Sequence, residues 1–334
     1  MNKLVDSIIE RAAKLNKNIV LAEGEDKRVV KAASEISKNG FCRITLIGNK
    51  EDIVKNNPDI DVSGINIIDP KTSEKHAEYA NLLFELRKAK GMTEEQADKL
   101  AYDNVFFAML MLKNGEADGV VSGACHSTAD TLRPGLQIVR TAPGIPLVSS
   151  CSLMIAPEGG HPLCEDGAFV YADTGLEQNP DPDKLAFIAY AAAKHCKALM
   201  GVEPRVAFIS HSSKGSAKHA DVDKVVAAFN KFKEIAPDIA ADGELQFDSA
   251  IVPAIAASKA PGSPVAGHAN VIVFPDLDCG NTCYKITERL AGFMAVGPLC
   301  QGFAKPINDL SRGCKWEDIY VAAAVTALQT EIKW

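Results

Sequence analysis

The sequence predicts an α/β protein of two domains whose sheets are largely parallel. Short apolar strand candidates alternate with helical segments of about ten residues or more, which is typical of β-α-β units. The length of 334 residues favours two domains, and loops rich in Gly and Pro become frequent after Pro146. Because parallel sheets place ligands at the carboxyl ends of their strands, we expect the functional site in the loops that follow those strands.

The first part of the chain shows this alternation most clearly. Residues 1–17 predict an amphipathic helix, since apolar residues such as Val5 and Ile8 share one side. A second helix is expected at 27–38, where Gly40 ends the segment. Further strand candidates lie at 18–22, 43–47, 65–68 and 119–122, and further helices are expected at 73–89 and 93–114.

After Pro146 the pattern is less regular. Residues 147–180 favour strands and loops, because Gly and Pro interrupt every apolar run. Strands are then expected at 205–210 and 270–274, and helices at 183–200, 247–257, 281–290 and 317–330, with one more helix ending near Ile235.

Charge and composition argue against several classes of protein. A net charge of −7 gives no global electrostatic support for nucleic-acid binding. No apolar run approaches the ~18 residues of a membrane span, and residues 1–17 lack the uninterrupted apolar stretch of a signal peptide. The nine cysteines are scattered, mostly in apolar segments, which is typical of reduced thiols. We therefore expect a cytoplasmic protein without nucleic-acid or membrane partners.

The stretch from Gly297 to Asp318 is the strongest candidate for a functional segment. It contains a cluster of turn-forming residues that carries the hydroxyl of Ser311 and the guanidinium of Arg312. A helix is expected to begin near Glu317, with Asp318 in its first turn. A loop that leads into a helix presents backbone N–H groups to an anion, and arginine matches phosphate geometry. The alternative is a surface turn in which Ser311 and Asp309 cap the helix.

Two other segments have the same loop-to-helix character. Residues 123–134 are rich in hydroxyl groups and carry Arg133 directly before a proline. Residues 212–216 follow a strand and precede a helix, and they could bind phosphate or form an ordinary polar turn; they lack the spacing of a Walker A loop. The chain also lacks the Gly-x-Gly-x-x-Gly and Gly-x-Ser-x-Gly patterns of dinucleotide-binding proteins and hydrolases.

Several single residues have a structural explanation that is at least as good as a functional one. His126 is more readily a structural hydrogen-bonding residue than a base, and Arg87 fits a solvated cation at a helix end. Cys314 could be an activated thiol or a small apolar residue. The histidines form no metal constellation, and Cys279 with Cys283 is a weak metal pair. We therefore expect no metal site.

Several segments, in order along the chain, resemble motifs of the phosphate acetyltransferase (phosphotransacetylase) family. They are Ser-Gly-Ala-Cys-His-Ser-Thr-Ala-Asp-Thr-Leu-Arg-Pro at 122–134, Lys-Gly-Ser-Ala at 214–217, Asp-Gly-Glu-Leu-Gln-Phe-Asp at 242–248, Val-Phe-Pro-Asp-Leu at 273–277 and Gln-Gly-Phe-Ala-Lys-Pro-Ile-Asn-Asp-Leu-Ser-Arg-Gly-Cys at 301–314. The resemblance covers essentially the whole chain.

The resemblance implies a fold and a reaction. The fold would be two three-layer α/β domains with a central cleft, as in isocitrate and isopropylmalate dehydrogenases. The first domain would comprise 1–146 plus 306–334, and the second, through which homodimers would form, 147–305. The reaction would transfer an acetyl group reversibly between acetyl phosphate and coenzyme A, with coenzyme A as a substrate, inorganic phosphate as a product, and no cofactor.

The resemblance also assigns roles to residues. The catalytic set would be Asp318, Ser311 and Arg312. Substrate binding would involve Arg133, Arg87, Ser127, Thr131, Lys214, Gly215 and Ser216, and no metal would be bound. The alternatives are a phosphate butyryltransferase-like enzyme, a dehydrogenase of the related fold, and a binding protein without catalytic activity.

Overall fold

A computed structural model describes residues 2–334, and these divide into two compact units. The first unit comprises 3–143 together with 303–331, and the second comprises 144–302 together with residue 2 and 332–334. The domain boundaries expected from the sequence, 146/147 and 305/306, each lie three residues from the corresponding changes between units at 143/144 and 302/303. Each unit is built around one β-sheet.

The regular elements follow one another in this order along the chain. The strands are β1 (Asn18–Leu21), β2 (Arg43–Ile47), β3 (Asn66–Ile68), β4 (Gly119–Ser122), β5 (Ser149–Ile155), β6 (Ala168–Ala172), β7 (Arg205–Ile209), β8 (Ala240–Leu245), β9 (Val271–Val273), β10 (Met294–Gln301) and β11 (Ile307–Asp309). The α-helices are α1 (Lys3–Leu15), α2 (Lys27–Asn39), α3 (Lys50–Asn56), α4 (His76–Arg87), α5 (Glu94–Ala101), α6 (Asn104–Asn114), α7 (Thr128–Ile138), α8 (Pro182–Met200), α9 (Ala220–Ile235), α10 (Phe247–Ile251), α11 (Pro253–Lys259), α12 (Leu277–Ala291) and α13 (Trp316–Gln329).

The sheet of the first unit is entirely parallel, with strand order β11-β4-β1-β2-β3. Its central strands are mostly apolar, and Ile19, Val20 and Leu21 of β1 are fully buried. Such strands are covered on both faces, as parallel sheets require. Helix α13 packs against α1, α2 and the sheet, and nearly all of its residues after the first turn are buried. The first turn of α13 is therefore held at one edge of a rigid core.

Strands β4 and β11 end side by side, which brings the loops after them together. The Leu310 N–H donates a hydrogen bond to the Ser122 carbonyl oxygen at 2.7 Å. Gly123 adopts a φ of +109°, and a Cβ added there would lie 2.3 Å from Oδ1 of Asp309. Only glycine combines this backbone conformation with so close an approach. The loop 123–127 is therefore adjacent to the loop 310–315.

The second unit contains a six-stranded mixed sheet with the order β10-β5-β6-β9-β7-β8. Strand β5 runs antiparallel to both β6 and β10, and the remaining pairs are parallel. Its core contains an aromatic cluster in which Tyr171 meets Phe274 edge to face, with ring centroids 5.1 Å apart, and Phe169 stacks on Phe293 at 6.2 Å. Strand β10 lies at one edge of this sheet.

Two predicted helices are each divided in the structure. The segment 93–114 forms α5 and α6, because Asp103 accepts hydrogen bonds from the N–H groups of Val105 and Phe106 and thereby starts a new helix. The segment 247–257 forms α10 and α11, which are separated at Val252 before Pro253. The prediction of one helix was wrong in both segments, although the residues that divide them, Asp103 and Pro253, can be recognised in the sequence as a helix cap and a helix breaker.

The stretch 297–318 is more regular than the sequence suggests. Strand β10 continues through Gly297 and Pro298 to Gln301 with a register shift, and β11 includes Asn308 and Asp309. The loop proper is thus the short segment 310–315. As well as β10 and β11, the elements α3 and β8 were not predicted.

The described residues also bear on the environment of the protein. Across residues 2–334, no helix is both long and apolar enough to cross a membrane. The nine cysteines are free thiols, and six of them are buried.

Replacing Gly123 with alanine is expected to destabilise the first unit. The added Cβ meets backbone and carboxylate atoms at 2.3 to 2.7 Å in a positive-φ conformation, and we expect a loss of ~2 kcal/mol or more in the free energy of unfolding. Gly313→Ala is the control, because the nearest atom to its Cβ would be 3.7 Å away. Equal unfolding midpoints in urea for both variants would contradict this account.

Candidate active site

The loop after β11 presents Ser311 and Arg312 at the surface. Both residues are exposed. The Ser311 hydroxyl oxygen accepts a hydrogen bond from the Gly313 N–H at 3.2 Å, and the Ser311 carbonyl accepts one from the Cys314 N–H at 2.9 Å. These bonds fix a tight turn in which the Ser311 hydroxyl proton is available to another acceptor.

Asp318 lies in the first turn of α13. The N-cap residue of this helix is Lys315, and the Lys315 N–H donates to Oδ2 of Asp318 at 2.8 Å. The alternative in which Ser311 and Asp309 cap this helix is therefore wrong. Asp318 is exposed, and its carboxylate lies at the positive end of the helix dipole.

Arg28 ties this loop to the loop after β4, and sequence reasoning did not identify it. Its Nη1 donates to the carbonyl oxygens of Arg312 and Cys314, and its Nη2 donates to that of Ala124, each at 2.8 Å. The same guanidinium pairs with both carboxylate oxygens of Asp26, at 3.0 and 2.7 Å. These hydrogen bonds from Arg28 lower the pKa of Asp26, and the partnership raises the pKa of Arg28.

Glu23 holds the loop that follows β4. This fully buried carboxylate accepts hydrogen bonds from the backbone N–H groups of Ala124, Cys125 and His126, at 2.8, 3.0 and 3.1 Å. Burial alone would raise the pKa of Glu23, but these hydrogen bonds, with the one from the His126 ring, outweigh it and lower the pKa. The ionised Glu23 side chain therefore holds the loop after β4 against the end of β1 through hydrogen bonds.

His126 is a partner of Glu23, as the structural alternative predicted. Its Nδ1 lies 2.8 Å from Oε1 of Glu23. Burial tends to lower the pKa of His126, yet the hydrogen bond and the charges of Glu23 and Glu25 prevail and raise it.

Helix α7 carries three of the residues implied in substrate binding. Ser127 is its N-cap and accepts from the Asp130 N–H at 3.2 Å, whereas Thr131 is fully buried. Arg133 is exposed and lines a depression of about 330 Å³ together with Asp130 and Asp103. Thr128 donates to Oδ2 of Asp309 at 2.6 Å, which joins the start of α7 to the end of β11.

Arg87 differs from the solvated cation that the alternative reading expects. It is half-buried at the last turn of α4, a helix that packs against α7. Its Nε is buried and has no hydrogen-bond partner among the described residues. An uncommitted buried guanidinium donor is suited to an anion that the protein itself does not supply.

Lys214, Gly215 and Ser216 lie in the second unit, and two buried carboxylates occupy the donors of this turn. Oε1 of Glu244 accepts from the Gly215 N–H at 2.7 Å and from the Ser212 hydroxyl at 2.8 Å. The Lys214 ammonium pairs with Asp242 and also donates to the Gly243 carbonyl at 3.3 Å. Both carboxylate residues come from the unpredicted β8, and each is 4% exposed. An anion would have to compete with them.

Cys314 is a small buried residue rather than an activated thiol. It is buried, and burial raises the pKa of its thiol to about 11 although Arg28 acts in the opposite direction. A thiol that stays protonated at neutral pH is a poor nucleophile.

Comparison with known families covers nearly the whole chain. A model of the "Phosphate acetyl/butaryl transferase" family matches residues 3–327. The chain is 54% identical over 329 residues to a phosphate acetyltransferase of Acetivibrio thermocellus, and 49% identical over 330 residues to one of Clostridium acetobutylicum; in both cases 98% of each chain is covered.

Solved structures give the same result for the fold. A phosphotransacetylase from Streptococcus pyogenes matches with a TM-score of 0.92 and 42% identity, covering 99% of this chain and 98% of that one. A putative 4-hydroxythreonine-4-phosphate dehydrogenase from Salmonella typhimurium matches with a TM-score of 0.52 at 13% identity over 94% of this chain and 99% of that one, and it shares the fold alone. The predicted α/β fold class, related to dehydrogenases, is confirmed. The chain therefore belongs to the phosphate acetyl/butaryl transferase family.

Proposed function

We propose that the protein is a phosphate acetyltransferase, which transfers an acetyl group reversibly between acetyl phosphate and coenzyme A. The observation that carries this proposal is the 54% identity, over 98% of both chains, to a protein of that name. The loop after β11 supports it, because a hydroxyl, a guanidinium and a carboxylate lie within eight residues of one another, at 311, 312 and 318. Each of these groups has a part in the mechanism that we propose for this transfer.

The attacking group would be the thiolate of coenzyme A, and Asp318 would accept its proton. An ordinary thiol has a pKa of ~8.5 and a free aspartate one of ~3.9, so full proton transfer before attack would cost ~6 kcal/mol. We therefore propose that transfer to Asp318 accompanies formation of the carbon–sulfur bond, in a complex that holds both substrates. The carbonyl–phosphate bond then breaks, and the electron pair leaves with phosphate.

The other residues would stabilise the negative charge that develops. Ser311 would donate to an oxygen of the carbonyl or phosphate, a role worth ~10²- to 10³-fold in rate for comparable oxyanion donors. Arg312 and Arg133 would hold the phosphoryl group through paired N–H donors. Arg87 would assist phosphate binding, and its unpartnered Nε supports that role. Ser127, Thr131, Lys214, Gly215 and Ser216 complete the proposed substrate contacts, although the hydrogen bonds of Gly215 and Lys214 described above require rearrangement for direct contact.

A direct assay tests the function. Purified protein given acetyl phosphate and coenzyme A should form a thioester, which is followed by its ultraviolet absorbance. The family description covers butyryl as well as acetyl transfer, so the same assay with acyl phosphates of increasing length is included. We expect kcat/KM to be highest for acetyl phosphate; higher values for butyryl phosphate would identify a butyryltransferase, and no thioester with any of them would refute the proposal.

Asp318→Asn is expected to lower kcat by ~100-fold or more, with little change in KM, because it removes the proton acceptor and keeps the shape. Glu317→Gln is the matched control, since Glu317 is an exposed carboxylate of the same helical turn. Arg312→Lys should lower kcat and, unlike Asp318→Asn, should also raise the KM for acetyl phosphate, because an ammonium cannot form paired bonds. Near-normal kcat in Asp318→Asn would exclude Asp318 as the base.

An acyl-enzyme on Ser311 or Cys314 is the competing mechanism, and isotope exchange distinguishes the two. Direct transfer predicts no exchange of labelled phosphate into acetyl phosphate unless coenzyme A is present, whereas an acyl-enzyme predicts exchange without it. The raised pKa of Cys314 also predicts that Cys314→Ala keeps most of its kcat. Exchange in the absence of coenzyme A would overturn direct transfer.

We further propose that the reaction needs no organic cofactor or metal, and that the enzyme acts in the cytoplasm as a homodimer. Apolar side chains on the second unit support self-association. Ile286 and Leu290 of α12 and Met294 of β10 are spaced by four residues and are 50%, 84% and 46% exposed. Such a row of exposed apolar residues, next to an edge strand, is suited to a protein interface.

Leu290→Asp is expected to convert the dimer to a monomer, because it places a charge within that apolar row. Val54→Asp is the control, since Val54 is a 46%-exposed apolar residue of α3 in the first unit. Sedimentation equilibrium gives the mass of each. A wild-type monomer, or a Leu290→Asp dimer of unchanged stability, would contradict the proposed interface.

A further inference from the structure

Three potential metal ligands converge where the loops after β1 and β4 meet. Oε1 of Glu23 lies 3.4 Å from Sγ of Cys125 and 2.8 Å from Nδ1 of His126, and Sγ and Nδ1 are 3.7 Å apart. All three ligand atoms thus lie within 4.8 Å of one another. A carboxylate oxygen, a thiol sulfur and an imidazole nitrogen are ligands that zinc prefers in proteins.

The separations can be compared with those of a tetrahedral zinc site. Bonds of ~2.3 Å to sulfur and ~2.1 Å to nitrogen and oxygen place the sulfur ~3.6 Å from each of the other donors, and the nitrogen ~3.4 Å from the oxygen. The two distances from Cys125 Sγ agree with this geometry to within ~0.2 Å. The Nδ1 to Oε1 distance is shorter because a proton now joins these atoms, and it would have to open by ~0.6 Å.

Charge around the cluster favours a cation. Oε1 of Glu25 lies 3.6 Å from Cys125 Sγ and adds a second carboxylate to that of Glu23. The nearby cation, Arg28, is already paired with both oxygens of Asp26, so it offsets that carboxylate rather than the cluster. Burial fixes one ligand, since Glu23 is fully buried, and Cys125 is exposed and gives access from solvent.

We propose that Glu23, Cys125 and His126 bind one thiophilic divalent cation, with zinc as its representative. On binding, the Cys125 thiol releases its proton to solvent, and His126 ligates through Nδ1 with its proton on Nε2. The cation thereby replaces the two hydrogens that face Oε1 of Glu23. The hydrogen bond from the Ala124 N–H to Oε2 of Glu23 can persist, whereas Oε1 accepts from the N–H groups of both Cys125 and His126, so one of these two bonds would have to lengthen or shift to Oε2. Water completes the coordination on the exposed side of Cys125.

The bound cation would act on the loop rather than on the reacting atoms. His126 directly precedes Ser127, the N-cap of α7, so a metal joining His126 to Glu23 would hold the start of α7 against the end of β1. The proposal goes beyond acetyl transfer, for which we propose no metal requirement. We expect zinc to raise the unfolding temperature of the wild-type chain through preferential binding to the native state.

Titration of metal-free protein with zinc, followed by calorimetry, tests the site. The wild-type chain should bind one equivalent, and Cys125→Ser should weaken binding by ~100-fold or more, since even outer partners of metal ligands are worth ~10- to 100-fold. The control is Cys279→Ser/Cys283→Ser, which removes the other two cysteines that are not buried and should leave this binding unchanged. Loss of binding only in the double variant, or equal binding in Cys125→Ser, would overturn the proposal.

Two further measurements do not depend on how well a variant folds. Cobalt(II) added to the wild-type chain should produce the charge-transfer absorption of a thiolate ligand, and zinc should slow alkylation of Cys125, located by peptide mass spectrometry. Unchanged alkylation of Cys125 at saturating zinc would refute the site. No substrate is present in these experiments, so their outcome is independent of the proposed acetyltransferase activity.

Discussion

The candidate site depends on the hydrogen bonds that the guanidinium of Arg28 donates. It donates to the carbonyl oxygens of Ala124, Arg312 and Cys314, which belong to the loops after β4 and β11. Asp26 in turn fixes the plane of the guanidinium through two hydrogen bonds. Since Arg28 lies in the first turn of α2, a rigid helix of the first unit holds both loops. Arginine suits this role because its N–H groups diverge in one plane and remain charged.

Buried carboxylates also hold loops in place, by accepting hydrogen bonds from their donors. Glu23 satisfies three backbone N–H groups in the first unit, and Glu244 accepts from the Gly215 N–H and the Ser212 hydroxyl in the second. Asp173 accepts from the N–H groups of Ser150, Gly175, Leu176 and Glu177. Burying a carboxylate is costly unless hydrogen bonds replace its water. Each of these residues therefore fixes a loop in one conformation, since any other leaves the charge unsatisfied.

The proposed chemistry relies on the contrast between these held groups and the exposed ones. Asp318, Ser311 and Arg312 are exposed and have few partners within the protein, whereas Arg28, which positions their loop, is partly buried and has all of its N–H groups engaged. A positioned but unsatisfied donor or acceptor can interact with substrate without first breaking a protein hydrogen bond. Lys214 and Gly215 show the opposite arrangement, since Asp242 and Glu244 already occupy their donors.

The sequence by itself determined the α/β fold class, the strands β1, β2, β3, β4, β7 and β9, the loop-to-helix context of Ser311 and Asp318, and the family. These follow from local patterns, because apolar runs, glycine ends and motifs are readable within ten or twenty residues. Only the tertiary structure decided the roles of Arg28 and Glu23, since their partners are 284 and 101 residues away in the chain. It also decided that the donors of Lys214 and Gly215 are occupied, because their partners Asp242 and Glu244 belong to β8. The Asp242-Gly243-Glu244 sequence resembles a turn, and it becomes a strand only through pairing with β7. Hydrogen bonds between distant loops depend on how strands are ordered in a sheet, and no local pattern encodes that order.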